Sequence, residues 1–180
     1  MTPDELLELH RSFTASVVRL ETLQHYAVPG DDERQRAYRE GRPLPPREGK
    51  SATVRLIQDA VRAGKAFERI HVVDVPLSDY VRYELDAAYP ENVAAGEQVW
   101  IVDRAAHPGL ENARWDFVLV DAGTPHPAVA WYDYTADGQL TGYRRGSPDD
   151  VDGCTATIAL ARAHALSLAD FMTSSFREAQ

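Results

Sequence analysis

The stretch from Phe67 to Trp100, FERIHVVDVPLSDYVRYELDAAYPENVAAGEQVW, constrains the fold more than any other part of the chain. Alternation makes Phe67 to Val75 a strand, with Ile70 and Val72 on one face and Arg69, His71 and Val73 on the other. Pro76 turns the chain, Ser78 and Asp79 open a polar helix, and Gly96 stops it before EQVWIVD begins another strand. The centre of that helix carries Tyr80, Arg82, Tyr83 and Glu84, aromatic and charged residues of both signs. Such a unit cannot bury its apolar side alone, so the rest of the chain must supply further sheet and a cover.

The remaining segments do so. Thr2 or Asp4 can cap a short first helix carrying Leu6, Leu7 and Phe13. Val18, Leu20 and Thr22 alternate with Arg19, Glu21 and Leu23, which suits a strand. DDERQRAYREG reads as a charged helix stopped at Gly41, and RPLPPREGK as a loop, because Pro43, Pro45 and Pro46 forbid helix and ladder alike. The loop is a connector or a lid. Ser51 caps an amphipathic helix with Val54, Ile57 and Val61 on its apolar side. RWDFVLVD, PAVAWYDY and QLTGYRR are strand-like, and Ala136-Asp137-Gly138 is a hairpin turn, so these three form an antiparallel meander. Ser147-Pro148-Asp149-Asp150 starts a helix, and the carboxy-terminal helices hold Val151, Ile158, Leu160, Leu166, Leu168, Phe171 and Phe176. Regular βαβ alternation is not evident. The expectation is one α+β domain over residues 1–180, with a mainly antiparallel sheet of about five to six strands, an antiparallel C-terminal meander and flanking helices.

Charge and composition exclude some functions. A net charge of -9 disfavours direct nucleic-acid binding and attachment to an anionic membrane, since phosphate contacts need excess cations. No apolar run approaches the roughly 20 residues needed to span a bilayer. MTPDELLELHRSF has no basic region followed by an apolar run, so no signal peptide is expected and the cytoplasm is the expected location. The single cysteine, Cys154, forbids an internal disulfide and is read as a buried core thiol. His10, His25, His71, His107, His126 and His164 show no metal-ligand spacing, and neither metal nor cofactor is expected. GxGxxG, GxxxxGK[ST], HExxH and GxSxG are all missing.

What remains is the SDYVRYE stretch. Tyr80 and Glu84 are i,i+4 neighbours on a helix, as are Arg82 and Asp86. If the turn at Pro76 folds the helix back on the sheet, Arg69 and His71 converge with them. Arg82 would then bind an anionic or zwitterionic ligand while Tyr80 or Glu84 exchanges protons. Arg19 and Glu21 share one strand face and, on an adjacent strand, would join Arg69 and His71 in a polar cluster. The competing reading is structural: charges solvated or paired to fix helix on sheet, tyrosines in the core with hydrogen-bonded tips. Asp116, Asp121 and Asp133 could offer a hydrolytic carboxylate pair, but aspartates at strand ends are commonplace. Of the meander aromatics (Trp115, Phe117, Trp131, Tyr132, Tyr134, Tyr143), alternation sends half to the core and leaves half to wall a pocket or a partner surface.

RLET near residue 19, the tyrosine at 26, PLSDYVRYEL, NVAAGE and the WDFVLVD…AWYDYTADGQLTG hairpin together resemble a family of uncharacterised actinobacterial proteins. This domain of unknown function occurs in streptomycetes and their relatives, often encoded near helix-turn-helix regulators. The resemblance runs from about Phe13 to Tyr143 and departs at RPLPPREGK and at the carboxy-terminal helices. It implies a cytoplasmic bacterial protein acting in regulation or specialised metabolism, and it carries no catalytic residue. The function expected is a non-enzymatic binding or regulatory module that recognises a small-molecule ligand or partner protein through Arg19, Glu21, Arg69, His71, Tyr80, Arg82 and Glu84. The alternative is a small metal-free enzyme of bacterial specialised metabolism using Tyr, Arg, Glu and His for acid–base chemistry.

Overall fold

In the computed structural model, which describes residues 1–46 and 51–174, the first two strands lie side by side and parallel. β1 (Ser16–Glu21) pairs with β2 (Ala66–Val73) in the register Arg19↔Arg69 and Glu21↔His71. β2 in turn pairs parallel with β3 (Gln98–Asp103). After β3 comes the short α6 (Pro108–Glu111), and on the other side of β1, β4 (Asp116–Val120), β5 (Ala128–Tyr134) and β6 (Leu140–Arg145) form the expected antiparallel meander. The two-residue β7 (Leu166–Ser167) closes the far edge against β3, giving one seven-stranded sheet ordered β6-β5-β4-β1-β2-β3-β7.

The sheet is therefore larger than expected and its centre is parallel, although most pairings are antiparallel. Two crossovers create that centre. Between β1 and β2 run α2 (Asp32–Arg39), the proline loop and α3 (Ser51–Arg62). Between β2 and β3 run α4 (Asp79–Tyr83), a π-helical turn (Glu84–Ala88) and α5 (Tyr89–Ala95). Neither connection is a single regular helix, which is why a βαβ pattern is hard to read in the sequence. The residues 47–50 of the loop, the side chain of Ser51 with its expected cap, and Phe176 lie outside the described residues. α2 is also less solvated than its charges suggest, with Arg34 and Gln35 buried.

The two faces of the sheet are covered differently. On one, Val18, Leu20, Ile70, Val72, Phe117 and Leu119 form a continuous apolar layer under α7 (Pro148–His164), which contributes Cys154 and Ala161. Burial pushes the Cys154 thiol up to about 12, so it is an inert core group, as expected. On the other face the apolar core is split. Val17, Phe67 and Val118 pack with Leu6 of α1 (Pro3–Ser12) and Ile57 of α3. Val73, Val99 and Ile101 pack with Val81, Leu85 and Tyr89, and with Phe171 of α8 (Leu168–Thr173). Between these clusters the same face carries Arg19, Glu21, Arg69 and His71.

Local chemistry fixes the element ends. α1 starts on a capping box between Thr2 and Glu5, and α7 on another between Ser147 and Asp150. Asp121, with φ 54°, folds its carboxylate back onto the N–H groups of Thr14, Ala15 and Ser16 and so pins the start of β1. Those hydrogen bonds outweigh burial and hold the carboxyl below its usual range. The β5–β6 turn docks on the segment after β1 through Ala27 N–H donating to the Gly138 carbonyl at 3.0 Å.

Gly138 has φ +81°, and a Cβ there would lie 2.4 Å from the His25 carbonyl oxygen. Gly138→Ala is expected to cost about 2 kcal/mol and to lower Tm by roughly 4–8 °C. Gly142→Ala, where a Cβ meets nothing within 4 Å, is the control and should shift Tm far less in the same calorimetric scan.

Candidate functional site

The polar seam begins with the parallel register of β1 and β2, which sets Arg19 beside Arg69 and Glu21 beside His71. Glu21 sits between both guanidiniums: Arg69 Nη1 donates to Glu21 Oε1, and Arg19 Nε lies 3.0 Å from the same oxygen. Arg69 Nε donates to Glu97 Oε1 at 3.1 Å. His71 is fully buried, with Nε2 2.8 Å from the Leu23 carbonyl and Nδ1 2.7 Å from the Tyr89 hydroxyl. A carbonyl only accepts, so Nε2 carries the proton.

The helix over the seam owes its shape to Ser78 and Pro90. The Ser78 hydroxyl accepts from Val81 N–H and donates to the Gln24 carbonyl at 2.6 Å, which holds the helix start above the segment following β1. Pro90 has no N–H for the Asp86 carbonyl, and its ring would crowd that carbonyl in an unbroken α-helix. The chain widens to a π turn instead, where Tyr89 N–H donates to the Glu84 carbonyl. In an α-helix residues five apart diverge by about 140°. The π turn brings Glu84 and Tyr89 to one side, where the Tyr89 hydroxyl is 3.0 Å from Glu84 Oε2. The Tyr80 hydroxyl donates to Glu84 Oε1 at 3.1 Å, as the i,i+4 spacing predicts. One inward stripe thus carries Tyr80, Glu84 and Tyr89.

Above this stripe and the strand face lies a cavity of about 270 Å³. Arg19, Glu21, Arg69, Glu84 and Tyr89 form its floor, and Tyr26, Tyr80, Tyr132, Tyr134 and Tyr143 its walls. The rings support one another: Tyr26 meets Tyr134 at 5.4 Å and Tyr80 at 5.9 Å, and Tyr132 meets Tyr143 at 5.2 Å. The Arg19 guanidinium lies 4.5 Å from the Tyr132 ring centre and donates through Nη2 to the Tyr134 hydroxyl. Five of the seven residues singled out in the sequence therefore line one cavity. His71 stands behind Tyr89 and does not line the cavity. Arg82 does not line it either, because two residues along an α-helix turn the side chain about 200° from Tyr80. The guanidiniums that line the cavity are those of Arg19 and Arg69.

Several participants carry no local sequence signal. Asp116 accepts from the Tyr26 hydroxyl at 2.6 Å and from Thr22 N–H at 2.8 Å, so it anchors a cavity wall rather than pairing with Asp121 or Asp133. Tyr89 and Glu97 join only through the π turn and the β2–β3 pairing. Arg104 is buried and donates to the Thr22 and Val72 carbonyls and to Asp74, tying the ends of β1 and β2 together beneath the site. Of the meander aromatics, Tyr132, Tyr134 and Tyr143 wall the cavity, Phe117 and Trp131 pack toward α7, and Trp115 is exposed.

The seam holds more carboxyls than cations, Glu21, Glu84, Glu97 and Asp116 against Arg19 and Arg69. Burial would raise Glu21, but the charges of Arg69 and Arg19 hold it well below the usual carboxylate range. Burial, and then the Glu21 charge, push Glu84 up to about 8. Burial lowers His71 and keeps it neutral. The Tyr89 oxygen has His71 Nδ1, Glu21 Oε2 and Glu84 Oε2 within 3.0 Å but owns one proton, so its neighbours must supply the rest, and a protonated Glu84 supplies one. Among the described residues no group of three His, Cys, Asp or Glu side chains is arranged to hold a metal, and no helix is long and apolar enough to cross a membrane.

The folded protein holds a Glu84 proton that the unfolded chain, with an ordinary value of 4.5, releases. The associated stability is complete at acid pH and is lost as pH rises from about 4.5 toward 8, on the order of 1 kcal/mol per pH unit. Wild type should therefore lose Tm relative to Glu84→Gln as pH rises from about 4.5 to about 8. A difference independent of pH would show that Glu84 is ionised throughout.

No curated protein matches the chain. A family model, described as a domain of unknown function (DUF6879), matches residues 4–173 and so extends across the proline-rich loop and the carboxy-terminal helices, where the sequence resemblance departs. The chain belongs to the DUF6879 family.

Proposed function

We propose that the protein is a binding module for a small polar ligand, held in the tyrosine-walled cavity over the Arg19–Glu21–Arg69 seam, with a regulatory rather than a catalytic role. The observation that carries this reading is the placement of paired charges and tyrosine hydroxyls around open volume instead of in closed packing. A seam serving structure alone would be sealed by apolar side chains. Here the Tyr132 and Tyr143 hydroxyls make no hydrogen bond among the described residues, and Arg19 Nη2 reaches the cavity wall at Tyr134. At about 270 Å³ the cavity suits a molecule at the small end of the metabolite range. Ring faces would stack on a planar ligand and the guanidiniums would read its acceptors.

A second reading is favoured by one feature. Glu84, pushed up to about 8 and contacted by the Tyr80 and Tyr89 hydroxyls, is suited to exchange a proton with a bound molecule near neutral pH. A small metal-free enzyme of bacterial specialised metabolism would use it so.

A thermal-shift screen of metabolites, followed by calorimetry and by chromatography of the incubated ligand, separates these. Leu140 is 39% exposed at the cavity mouth, so Leu140→Trp should abolish binding without unfolding the protein. Tyr143→Phe should leave Tm unchanged and weaken binding about three- to tenfold. Ligands recovered unaltered support the binding module, and a Glu84-dependent product supports the enzyme. Hits insensitive to both cavity substitutions would contradict the site.

A further inference from the structure

A second depression, of about 280 Å³, opens on the opposite side of the Arg19 and Arg69 side chains, between α1, α3 and the sheet. Leu6, Leu56 and Phe67 give it apolar walls, and Glu97 lines its floor. Glu97 is 2% exposed. Its Oε1 accepts from Arg69 Nε, but its Oε2, also buried, has no hydrogen-bond partner among the described residues. A buried carboxylate oxygen without a donor is costly, and native structures seldom leave one unexplained.

The neighbouring guanidiniums have spare donors. Among the described residues Arg69 uses Nε and Nη1, which leaves Nη2, and Arg19 gives Nη2 to Tyr134, which leaves Nη1. Charge around this floor already balances, Arg19 and Arg69 against Glu21 and Glu97. An added ammonium would satisfy Glu97 but face two guanidiniums, and an added carboxylate would satisfy the guanidiniums but face Glu97. The group that completes the set is neutral, with one donor and one acceptor side by side.

We propose that this depression binds a neutral primary carboxamide on an apolar or aromatic skeleton. The amide N–H donates to Glu97 Oε2, its carbonyl accepts from a free guanidinium N–H, and the skeleton lies against Leu6, Leu56 and Phe67. The depression shares the Arg19, Arg69, Tyr132 and Tyr143 side chains with the tyrosine-walled cavity but is otherwise lined by α1, α3 and the sheet, and the inference does not rest on what that cavity binds.

Phenylacetamide, phenylacetate and phenethylamine share a skeleton and differ in charge, so titrating each by NMR at neutral pH tests the inference. Phenylacetamide should bind at least about tenfold more tightly than either charged analogue, shifting signals of α1, α3 and Glu97. Thr53 is exposed at the rim, so Thr53→Trp should block the amide without disturbing the fold. Glu97→Gln keeps an oxygen for Arg69 but removes a negative charge, and should move the preference from amide to phenylacetate. Equal or tighter binding of a charged analogue by the wild type overturns the proposal. So does amide binding unaffected by Thr53→Trp, or no saturable shift at the solubility limit. Shifts confined to Tyr26 and Tyr134 would place the amide in the other cavity, overturning this inference while leaving the binding-module reading intact.

Discussion

The Glu21 carboxylate, held between the guanidiniums of Arg19 and Arg69, is the interaction on which the rest of the structure depends. It sits on the central parallel pair of the sheet, where an apolar residue would be the ordinary choice. Removing one member of such a buried set leaves an uncompensated charge, at about 3–5 kcal/mol, whereas a fully apolar replacement is often neutral or stabilising. Stability alone therefore does not account for the seam. It splits the core on one sheet face into two apolar clusters, and whatever covers that face must be polar where it meets the gap.

The cover meets that demand through backbone chemistry. Pro90 forces the π turn, the π turn aligns Tyr89 with Glu84, and Tyr89 then links Glu21, Glu84 and His71 in one hydrogen-bonded group. The surplus of carboxyls is absorbed by protonating Glu84 and by surrounding Asp116 with donors from Tyr26 and Thr22. Tyrosines rather than aliphatic residues close the sides, so the region keeps open volume next to fixed charges. Preorganised polar groups around small cavities are a common arrangement for recognising small molecules, and this is the basis of the binding role proposed for the protein.

Much of this was legible in the sequence where the signal is local. Alternation in SVVRLE and FERIHVV placed Arg19 and Glu21 on one strand face and Arg69 and His71 on another, and i,i+4 spacing paired Tyr80 with Glu84. Hairpin chemistry at Asp137-Gly138 and the Ser147 cap located the meander and α7. The misses are non-local. Parallel pairing of β1, β2 and β3 depends on contacts across two irregular crossovers, which no window of residues reveals. Regular helical spacing already turns Arg82 about 200° from Tyr80, whereas Tyr89 joins Glu84 only through the π turn, whose spacing no regular helix pattern shows. Asp116, Glu97 and Arg104 enter through neighbouring strands and backbone carbonyls, and β7 is too short to show alternation.

Titrating the Glu84 side-chain carboxyl by carbon-13 NMR tests the central claim, that the buried seam keeps its excess carboxyl protonated beside an open cavity, most directly. A midpoint pushed up to about 8 is the predicted result. A midpoint near the ordinary 4.5 would mean that the seam carries the full carboxylate charge, and would contradict the account of how the site is built.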